Sequence, residues 1–569
     1  MGIILKALRA AHGSPRKEAF MLLHLNDRDI PFEKGESYGK IIARAMPDTK
    51  ALGILVGGET LCLTALPKDG ETASVITIDR TEGRLIYERS LRFIFLLAVH
   101  ELFPNRRVRV EHSLGTGVYC EVRDNRRLLT AADVRAIEAR MREIVKKDMP
   151  FVRHPISRRD AIAYFEQTGE MDKVNLLKYR PYETFQLYRL GDMMEYFYGI
   201  MAPSTGCITV FGLQLQLPGL VLLLPDLENP DKVAPLRQLP RLMNTFAESA
   251  RWNEILHCSN AADLNAMTHS GQLREFIRVN EALHEKSISR IADDFAASGA
   301  RIILIAGPSS SGKTTFANRL SIALRVLGLR PVALSLDDYY LDRDKIPYDE
   351  DGKQDLERLD TLDVPLFNDH LVRLIQGEPV QVPLFDFKSG KRSANTHLMH
   401  VDEDQPIIIE GIHGLNNELT RDVARNLKFK IYISALTTLN LDDHNRIRTT
   451  EARPLRRMVR DYHFRGTEPE ATMAMWPSVR NGEEKYIFPY QEEADVIFNS
   501  SLVYEVAILK KYVYPMLTRL TPDSPYYTMA HRLIKFLNYF LSADVEDEIP
   551  LNSILREFIG GCCFYRNEK

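Results

Sequence analysis

No CxxC pair occurs among the six cysteines. Cys62, Cys120, Cys207, Cys258, Cys562 and Cys563 are spread too widely for a disulfide framework, so a reducing cytoplasm is the simplest setting. A large excess of charge of either sign is also missing. A net charge of −3 does not mark the whole chain as a nucleic-acid binder. The first 150 residues are only mildly basic, with 25 Lys and Arg against 20 Asp and Glu, a balance that an ordinary solvated surface also shows. No apolar run approaches the roughly 18 residues of a membrane span, and "GLVLLLP" (219–225) reads as a buried strand. The opening "MGIILKALRAAHGSPRK" has too short an apolar run for a secretory signal and no Ser or Thr at position 6 for myristoylation. Internal repeats and low-complexity segments are absent as well.

What remains is a globular composition, 45% apolar and 27% charged, in a chain of 569 residues. That length exceeds one hydrophobic core and suggests roughly three or four domains. Residues 19–78 read as short strands ("AFMLLHL", "LGILVGG", "ETLCLTAL", "SVITI") with one helix, "SYGKIIARAM". Two helical patterns follow, "RLIYERSLRFIFLLAVHELF" and "TAADVRAIEARMREIVKK", the second opening on a Thr N-cap. Strands "VRVEHS" and "GVYCEV" lie between them. A helix is predicted near 157–167, with strands near 184–190 and 207–224. The four prolines of "PDLENPDKVAPLRQLPR" (225–241) mark a boundary. Residues 241–298 read as helical with an interruption near 258–272. From 301 strands alternate with helices, at 302–306, 332–336, 407–410, 429–434 and 495–499, which predicts a parallel sheet covered on both faces. After about 503 the pattern is helical again, and Met529, Leu533, Phe536, Leu537 and Phe540 share one core-facing side.

The chemistry gathers after the first of these strands. Gly307, Pro308, Ser309, Ser310, Ser311, Gly312, Lys313 and Thr314 match G-x-x-x-x-G-K-[ST] at every fixed position. The glycines allow backbone N–H groups to wrap phosphate oxygens at a helix N-terminus. Lys313 supplies charge to the outer phosphates, and the Thr314 hydroxyl is placed for Mg²⁺. ATP with Mg²⁺ is therefore the expected pairing, with Thr315 completing the cradle. Asp337 lies 24 residues beyond Lys313, just after the next strand. Carboxyl ends of adjacent parallel strands share one edge, so Asp337 is the candidate base for an acceptor hydroxyl and Asp338 the alternative. Glu410 ends a further buried strand and is a candidate Mg²⁺ ligand or lysine partner. "RPLRRMVRDYHFRGTEPEA" places Arg453, Arg457 and Arg460 at helical spacing. A solvated charged helix explains that spacing, and so does a mobile arginine-bearing lid over the phosphates.

Together, "GPSSSGKTT", "SLDDYY", "VPLFDFKSGKR", "IIIEGIHGL" and "RRMVRDYHFRG" resemble the uridine kinase and phosphoribulokinase family over about 300–505. The resemblance implies Asp337 as the base, Tyr340, Glu357, Phe385 and Arg457 as acceptor contacts, and Arg460 and Arg465 as phosphate-binding lid arginines. Two positions depart from it. Gly390 stands where uridine kinases carry a pyrimidine-reading histidine, and Glu357 stands where an Asp is usual. A nucleoside is the leading acceptor and a sugar alcohol or sugar phosphate the alternative.

The front of the chain resembles threonyl-tRNA synthetase: a TGS-like module, then its second additional, editing-type domain, on "LLAVHELFPNRRVRVEHSLGTGVYCEV" and "LLTAADVRAIEARMREIVKKDMPFVRHPIS". At the places of the editing His, Cys and Asp cluster stand Arg89, Phe93, Phe197 and Met201, so no editing activity is expected; His100 and His112 read as structural. The combination is similar to a bacterial class of multidomain nucleoside kinases. It implies an α/β chain: a β-grasp module at 1–80, an α+β editing-like domain at 81–225, a helical connector at 226–298, a P-loop kinase domain with a doubly wound parallel sheet at 299–505, and a helical tail at 506–569. The partners it implies are a small-molecule acceptor and a second copy of the chain, with no membrane. The front modules are expected to contact RNA, or to make the protein a nucleotide-sensing regulator.

Overall fold

The computed structural model describes residues 21–123, 127–346, 354–355, 357–386 and 389–565. The expectations drawn from residues 1–20 lie outside the described residues. The first unit is a five-stranded sheet with the order Arg28–Phe32, Met21–Leu25, Glu71–Ile76, Gly53–Val56 and Glu59–Leu61. The helix Tyr38–Ala45 buries Tyr38, Ile41 and Ile42 against it. The strand Arg28–Phe32 was not expected. Only its Ile30 and Phe32 face the core, too few alternations to register as a strand pattern.

The long helix Thr81–Leu102 is buried over most of its length, as its broad apolar face requires. Thr130 caps the helix Ala131–Lys146 in a reciprocal capping box with Asp133. These helices pack with a four-stranded sheet ordered Gly212–Gln216, Gly219–Leu223, Gly117–Arg123 and Arg107–Leu114. A three-stranded sheet contains the expected Thr184–Leu190 between the unforeseen Val152–Ser157 and Met193–Tyr196.

Helices Pro240–Ile255, Ala261–Ser270 and Leu273–Ser298 follow. The interruption expected across 258–272 is thus mostly a helix of its own, started by an Asn260–Asp263 capping box and stopped by Gly271 in the left-handed region. Beyond them lies a parallel sheet in the order Val332–Ser335, Ile407–Glu410, Ile302–Ala306, Lys428–Ser434, Val496–Asn499. Ile302 to Ala306 is fully buried between layers of helices, which is why it reads as a continuous apolar run. A hairpin, Val380–Asp386 with Lys391–Met399, projects from this unit. The tail is helical over Glu505–Leu517 and Tyr527–Leu537, but Asn538 to Leu555 is largely irregular, contrary to a helical tail throughout.

Apolar packing crosses module boundaries. One core cluster holds residues of Arg158–Thr168, the two helices before the parallel sheet, the sheet itself and the segment up to Ile559. Polar contacts do the same. The turn around Asp443 enters the front half, where Val110 N donates to Asp443 O (2.7 Å) and Asp443 N donates to Asp172 Oδ2 (2.8 Å). Arg446 and Arg448 both reach the buried Glu88. Beside them the carboxylates of Glu170 and Glu195 and the ring of His444 converge, but the Lys173 ammonium takes the centre, 2.5 Å from Glu170, 3.3 Å from Glu195 and 3.0 Å from His444. A side-chain cation thus holds the place a metal would need. The six cysteines are free, and among the described residues no helix is long and apolar enough to cross a membrane.

Candidate active site

The strand Ile302–Ala306 delivers Gly307 to a turn that leads into the helix Lys313–Val326. A Cβ on Gly307 would lie 1.9 Å from the Ile433 carbonyl, so the neighbouring strand demands glycine there. Gly312 has φ +85° and Ser310 φ +58°, the left-handed backbone that bends the loop into a cup. The Ser310 and Ser311 hydroxyls are buried without hydrogen-bond partners, polar groups that suit an anion in the cup. Lys313 folds back onto its own loop, donating to Gly307 O (3.0 Å) and Pro308 O (3.4 Å).

Thr314 donates to Glu410 Oε1 at 2.9 Å, while Glu410 Oε2 is buried with no partner. A hydroxyl and an orphaned carboxylate oxygen form a fitting donor pair for a hard divalent cation such as Mg²⁺. Burial raises the Glu410 pKa, and Lys313 opposes the rise. Burial lowers Lys313 in turn, against Glu410, Glu557 and Asp337.

Asp337 follows the strand Val332–Ser335 on a tight turn, its N–H accepted by Ser335 Oγ (3.2 Å). It is solvent-accessible, yet the protein around it raises its pKa, with Lys313 pulling the other way. The expected base thus sits just past the carboxyl end of its strand, within the electrostatic reach of Lys313. Tyr340 faces Phe385 with ring centroids 5.7 Å apart. The Tyr340 phenol is raised first by burial and then by Asp337 and Glu357. Glu357 packs on Gly482, where a Cβ would come within 2.9 Å of its side chain, and the charges of Lys313 and Arg457 act on it. Lys313 thus acts on both Asp337 and Glu357, and both of these act on Tyr340, which faces Phe385.

The arginine helix, Thr449–Arg465, differs from the expected lid. Arg453 is 2% exposed and grips Glu483 through both terminal nitrogens (2.7 and 2.5 Å). Arg456 is fully buried on Glu505 and the Ser500 carbonyl. With Ala452, Leu455, Met458 and Val459 also buried, this helix is part of the core rather than a detached flap. The i, i+4, i+7 reading fails at Arg453, whose Glu483 partner also accepts from Ser309 N–H (3.2 Å) and so braces the phosphate loop. The remaining three arginines, the expected acceptor contact Arg457 and the expected phosphate ligands Arg460 and Arg465, share one carboxylate. Arg457 donates to Ser309 Oγ (2.9 Å), and Arg457, Arg460 and Arg465 all converge on Asp461, at 3.1, 3.1 and 3.4 Å.

Asp461, Glu483 and Glu557 were not singled out from the sequence. Asp461 was legible, because it sits four residues from both Arg457 and Arg465. Glu557 was not: it accepts from Thr315 Oγ1 at 2.8 Å across 242 residues of chain. Gly390 occupies the tip of the 380–399 hairpin at φ +68°, its Cβ position 2.5 Å from the Arg343 side chain. A histidine cannot take that place without displacing Arg343. In the front half, Phe93 packs tilted against Phe197 (5.4 Å) beside buried Met201, and Arg89 donates to the Ile200 carbonyl. These four side chains fill their space with packing. His112 is buried against Phe246 (3.7 Å, stacked), and His100 is exposed.

Residues 302–507 match the model of the Phosphoribulokinase / Uridine kinase family. This segment is a domain of that family. The front of the chain matches threonine–tRNA ligases: 33% identity over 188 residues with that of Oleidesulfovibrio alaskensis, covering 32% of this chain and 29% of the ligase, and 31% over 242 residues with that of Nitratidesulfovibrio vulgaris strain DP4, covering 42% and 36%. The chain thus spans about a third of the length of these curated relatives. Among solved structures, "a Possible Uridine Kinase from Bacillus stearothermophilus" is 20% identical with a TM-score of 0.26, over 37% of this chain and 96% of that one. D-glycerate 3-kinase from Cryptococcus neoformans is 17% identical with a TM-score of 0.20, over 49% and 89%. Every phosphate-loop residue, Asp337, Glu410, Arg457, Arg460 and Arg465 lie inside the kinase-family domain, whereas Glu557 lies outside it.

Proposed function

We propose that this protein is an ATP- and Mg²⁺-dependent kinase that phosphorylates the 5′-hydroxyl of a uridine- or cytidine-like nucleoside. The observation that carries the reading is the Thr314–Glu410 pair (2.9 Å) at the end of the phosphate loop, with Lys313 acting on both Glu410 and Asp337. The acceptor hydroxyl gives its proton to Asp337 as its oxygen bonds to the γ-phosphorus, and the bond from that phosphorus to the β,γ-bridging oxygen breaks to leave ADP. Thr314 and Glu410 would hold Mg²⁺, which would supply positive charge to offset that of the phosphates. Lys313, Arg457, Arg460 and Arg465 offset the remaining charge of the moving group, and Asp461 fixes the direction of the three guanidiniums. Tyr340 and Phe385 offer aromatic faces to a base, and Glu357 offers a hydrogen-bond acceptor to sugar hydroxyls. Incubation of the protein with ATP, Mg²⁺ and a panel of nucleosides and sugar phosphates tests this. A phosphorylated pyrimidine nucleoside is expected. Product from a sugar phosphate alone would move the acceptor to that class.

A further inference from the structure

A cavity of about 270 Å³ lies where the four-stranded front sheet, the helix Pro240–Ile255 and the kinase-family domain meet. Its walls include Glu111 and His112 on the strand Arg107–Leu114, Tyr119 and Glu121 on Gly117–Arg123, Phe246 on the helix, and Thr437 beyond the strand Lys428–Ser434. The pairing register of the first strand slips between Val110 and Ser113. That irregularity lets the consecutive Glu111 and His112 both border the cavity, where a regular strand would send them to opposite faces. The surroundings are pinned across the modules. Asn253 donates to Thr438 Oγ1 (2.9 Å), and Asn440 Nδ2 donates to Val110 O (2.8 Å).

Three of the lining side chains keep a buried polar atom without a hydrogen-bond partner among the described residues: Glu111 Oε1, His112 Nε2 and Thr437 Oγ1. These residues are 8, 9 and 8% exposed. Polar atoms at such depth are costly unless something meets them. Charge tells what that is. Among the described residues, the charged side chains on the wall are the carboxylates of Glu111 and Glu121. Burial holds the His112 imidazole down to about 3, so it adds no positive charge. Around the two carboxylates, two guanidiniums serve four acids. Arg109 lies 3.1 Å from Glu111, 3.6 Å from Glu254 and 4.0 Å from Asp443. Arg123 lies 2.7 Å from Glu121, 2.8 Å from Glu254 and 3.8 Å from Glu111. The Arg109–Glu111 pair lacks hydrogen-bond alignment, so Glu111 Oε1 stays unpartnered. Burial pushes the Glu111 carboxyl up to about 7, helped by Glu121 and Asp443 and opposed by Arg109 and Arg123. Such a wall repels phosphates and carboxylates and is short of one positive charge. Leu217, Pro218, Met243 and Ala250 add an apolar surface for an alkyl stem, and the Tyr119 and Phe246 rings suit a cation beside it.

We propose that this cavity binds a small organic cation, a primary amine or guanidine on an aliphatic stem, with Glu111 as its counter-ion and His112 Nε2 and Thr437 Oγ1 as further acceptors. The site is separate from the phosphate loop and stands whether or not phosphoryl transfer occurs.

The test is calorimetric titration of the full chain, without ATP, with butylamine, putrescine and agmatine. The neutral 1-butanol and the anionic butyrate serve as counterparts. At least one cation is expected to bind with a Kd below about 1 mM, and the counterparts at least about tenfold more weakly. Glu111→Gln keeps the shape and is expected to weaken that cation at least about tenfold. Ala250→Leu narrows the cavity without touching its charges and is expected to weaken it severalfold. Thermal midpoints show whether each variant is folded, and the wild-type pH profile decides the matter if one is not. Wild-type affinity should fall as the pH is lowered from about 8 to about 6, because protonated Glu111 offers no charge to the cation. The Gln variant should lose that dependence. No cation bound more tightly than about 1 mM by the wild type overturns the proposal. So does an affinity unchanged in both variants, which would place the cation elsewhere. Equal binding of 1-butanol or butyrate overturns it by making the cavity an apolar or anion site, and a pH-independent wild-type affinity overturns it by removing Glu111 as the counter-ion.

Discussion

Replacing Asp461 by Asn probes the arginine cluster with the smallest change of shape. Asp461 is 1% exposed and receives Arg457 and Arg460 at 3.1 Å and Arg465 at 3.4 Å. Arg457 and Arg460 side chains are 12% and 15% exposed, whereas Arg465 is 56% exposed and its pairing contributes little. An Asn can accept from one guanidinium but turns an N–H toward the other. The loss is therefore close to one charge-assisted bond plus one uncompensated donor, about 2–3 kcal/mol. Catalysis should suffer more than stability, because a guanidinium displaced by about 1 Å at a phosphoryl group costs up to about 10²-fold. The assay is steady-state phosphorylation at saturating ATP and acceptor, with the thermal midpoint measured on the same samples. A kcat lowered about 30- to 100-fold with a lower midpoint is expected. A lower midpoint with kcat within about threefold of wild type would refute the positioning role and leave Asp461 as a structural anchor.

Asp337→Asn should abolish nearly all turnover while raising the thermal midpoint at neutral pH, since the fold raises this carboxyl's pKa and so is opposed by its charge; an Asn variant with near-normal kcat removes Asp337 as the base. By the same sign, wild-type kcat should fall as pH drops through a value above the ordinary aspartate range, the proton acceptor being lost on protonation; a flat profile down to pH 4 would contradict that assignment. Gly390→His should raise the acceptor KM without changing that of ATP, because the side chain meets Arg343 and φ +68° costs a non-glycine residue roughly 1 kcal/mol; a lower uridine KM would show the hairpin tip accepting a base-reading group. Lys173→Met leaves Glu195, 0% exposed, with less compensation, and should cost about 3–5 kcal/mol; an unchanged denaturation midpoint would deny the bridge between the modules any part in stability.

The sheet and the phosphate loop were legible because both write their physics locally. A fully buried strand is a run such as Ile302–Ala306, and a cup for phosphates needs Gly307 and Gly312 where neighbouring atoms leave no room for a Cβ. Asp337 and Glu410 followed from the rule that parallel strands end on one edge. The arginines were legible as a pattern but not in their roles. Arg453 and Arg457 sit at the same helical spacing, and only the packing of Glu483 beneath one and Ser309 beside the other tells the buried brace from the arginine that touches the phosphate loop. Short or half-polar elements such as Arg28–Phe32 and Met193–Tyr196 gave too little alternation to detect. The approach of Glu557 to Thr315 is a long-range tertiary contact, and no local pattern encodes it.

The central claim is phosphoryl transfer from ATP to a nucleoside hydroxyl with Asp337 as base. Its most direct measurement is the formation of nucleoside monophosphate from ATP, Mg²⁺ and a mixture of uridine, cytidine, purine nucleosides and sugar phosphates, run side by side with wild-type and Asp337→Asn protein after ATP binding has been shown equal for the two. The account predicts a pyrimidine nucleoside monophosphate from the wild type and a rate lower by orders of magnitude from the variant. Equal rates from the two proteins, or no nucleoside product from the wild type, would contradict it.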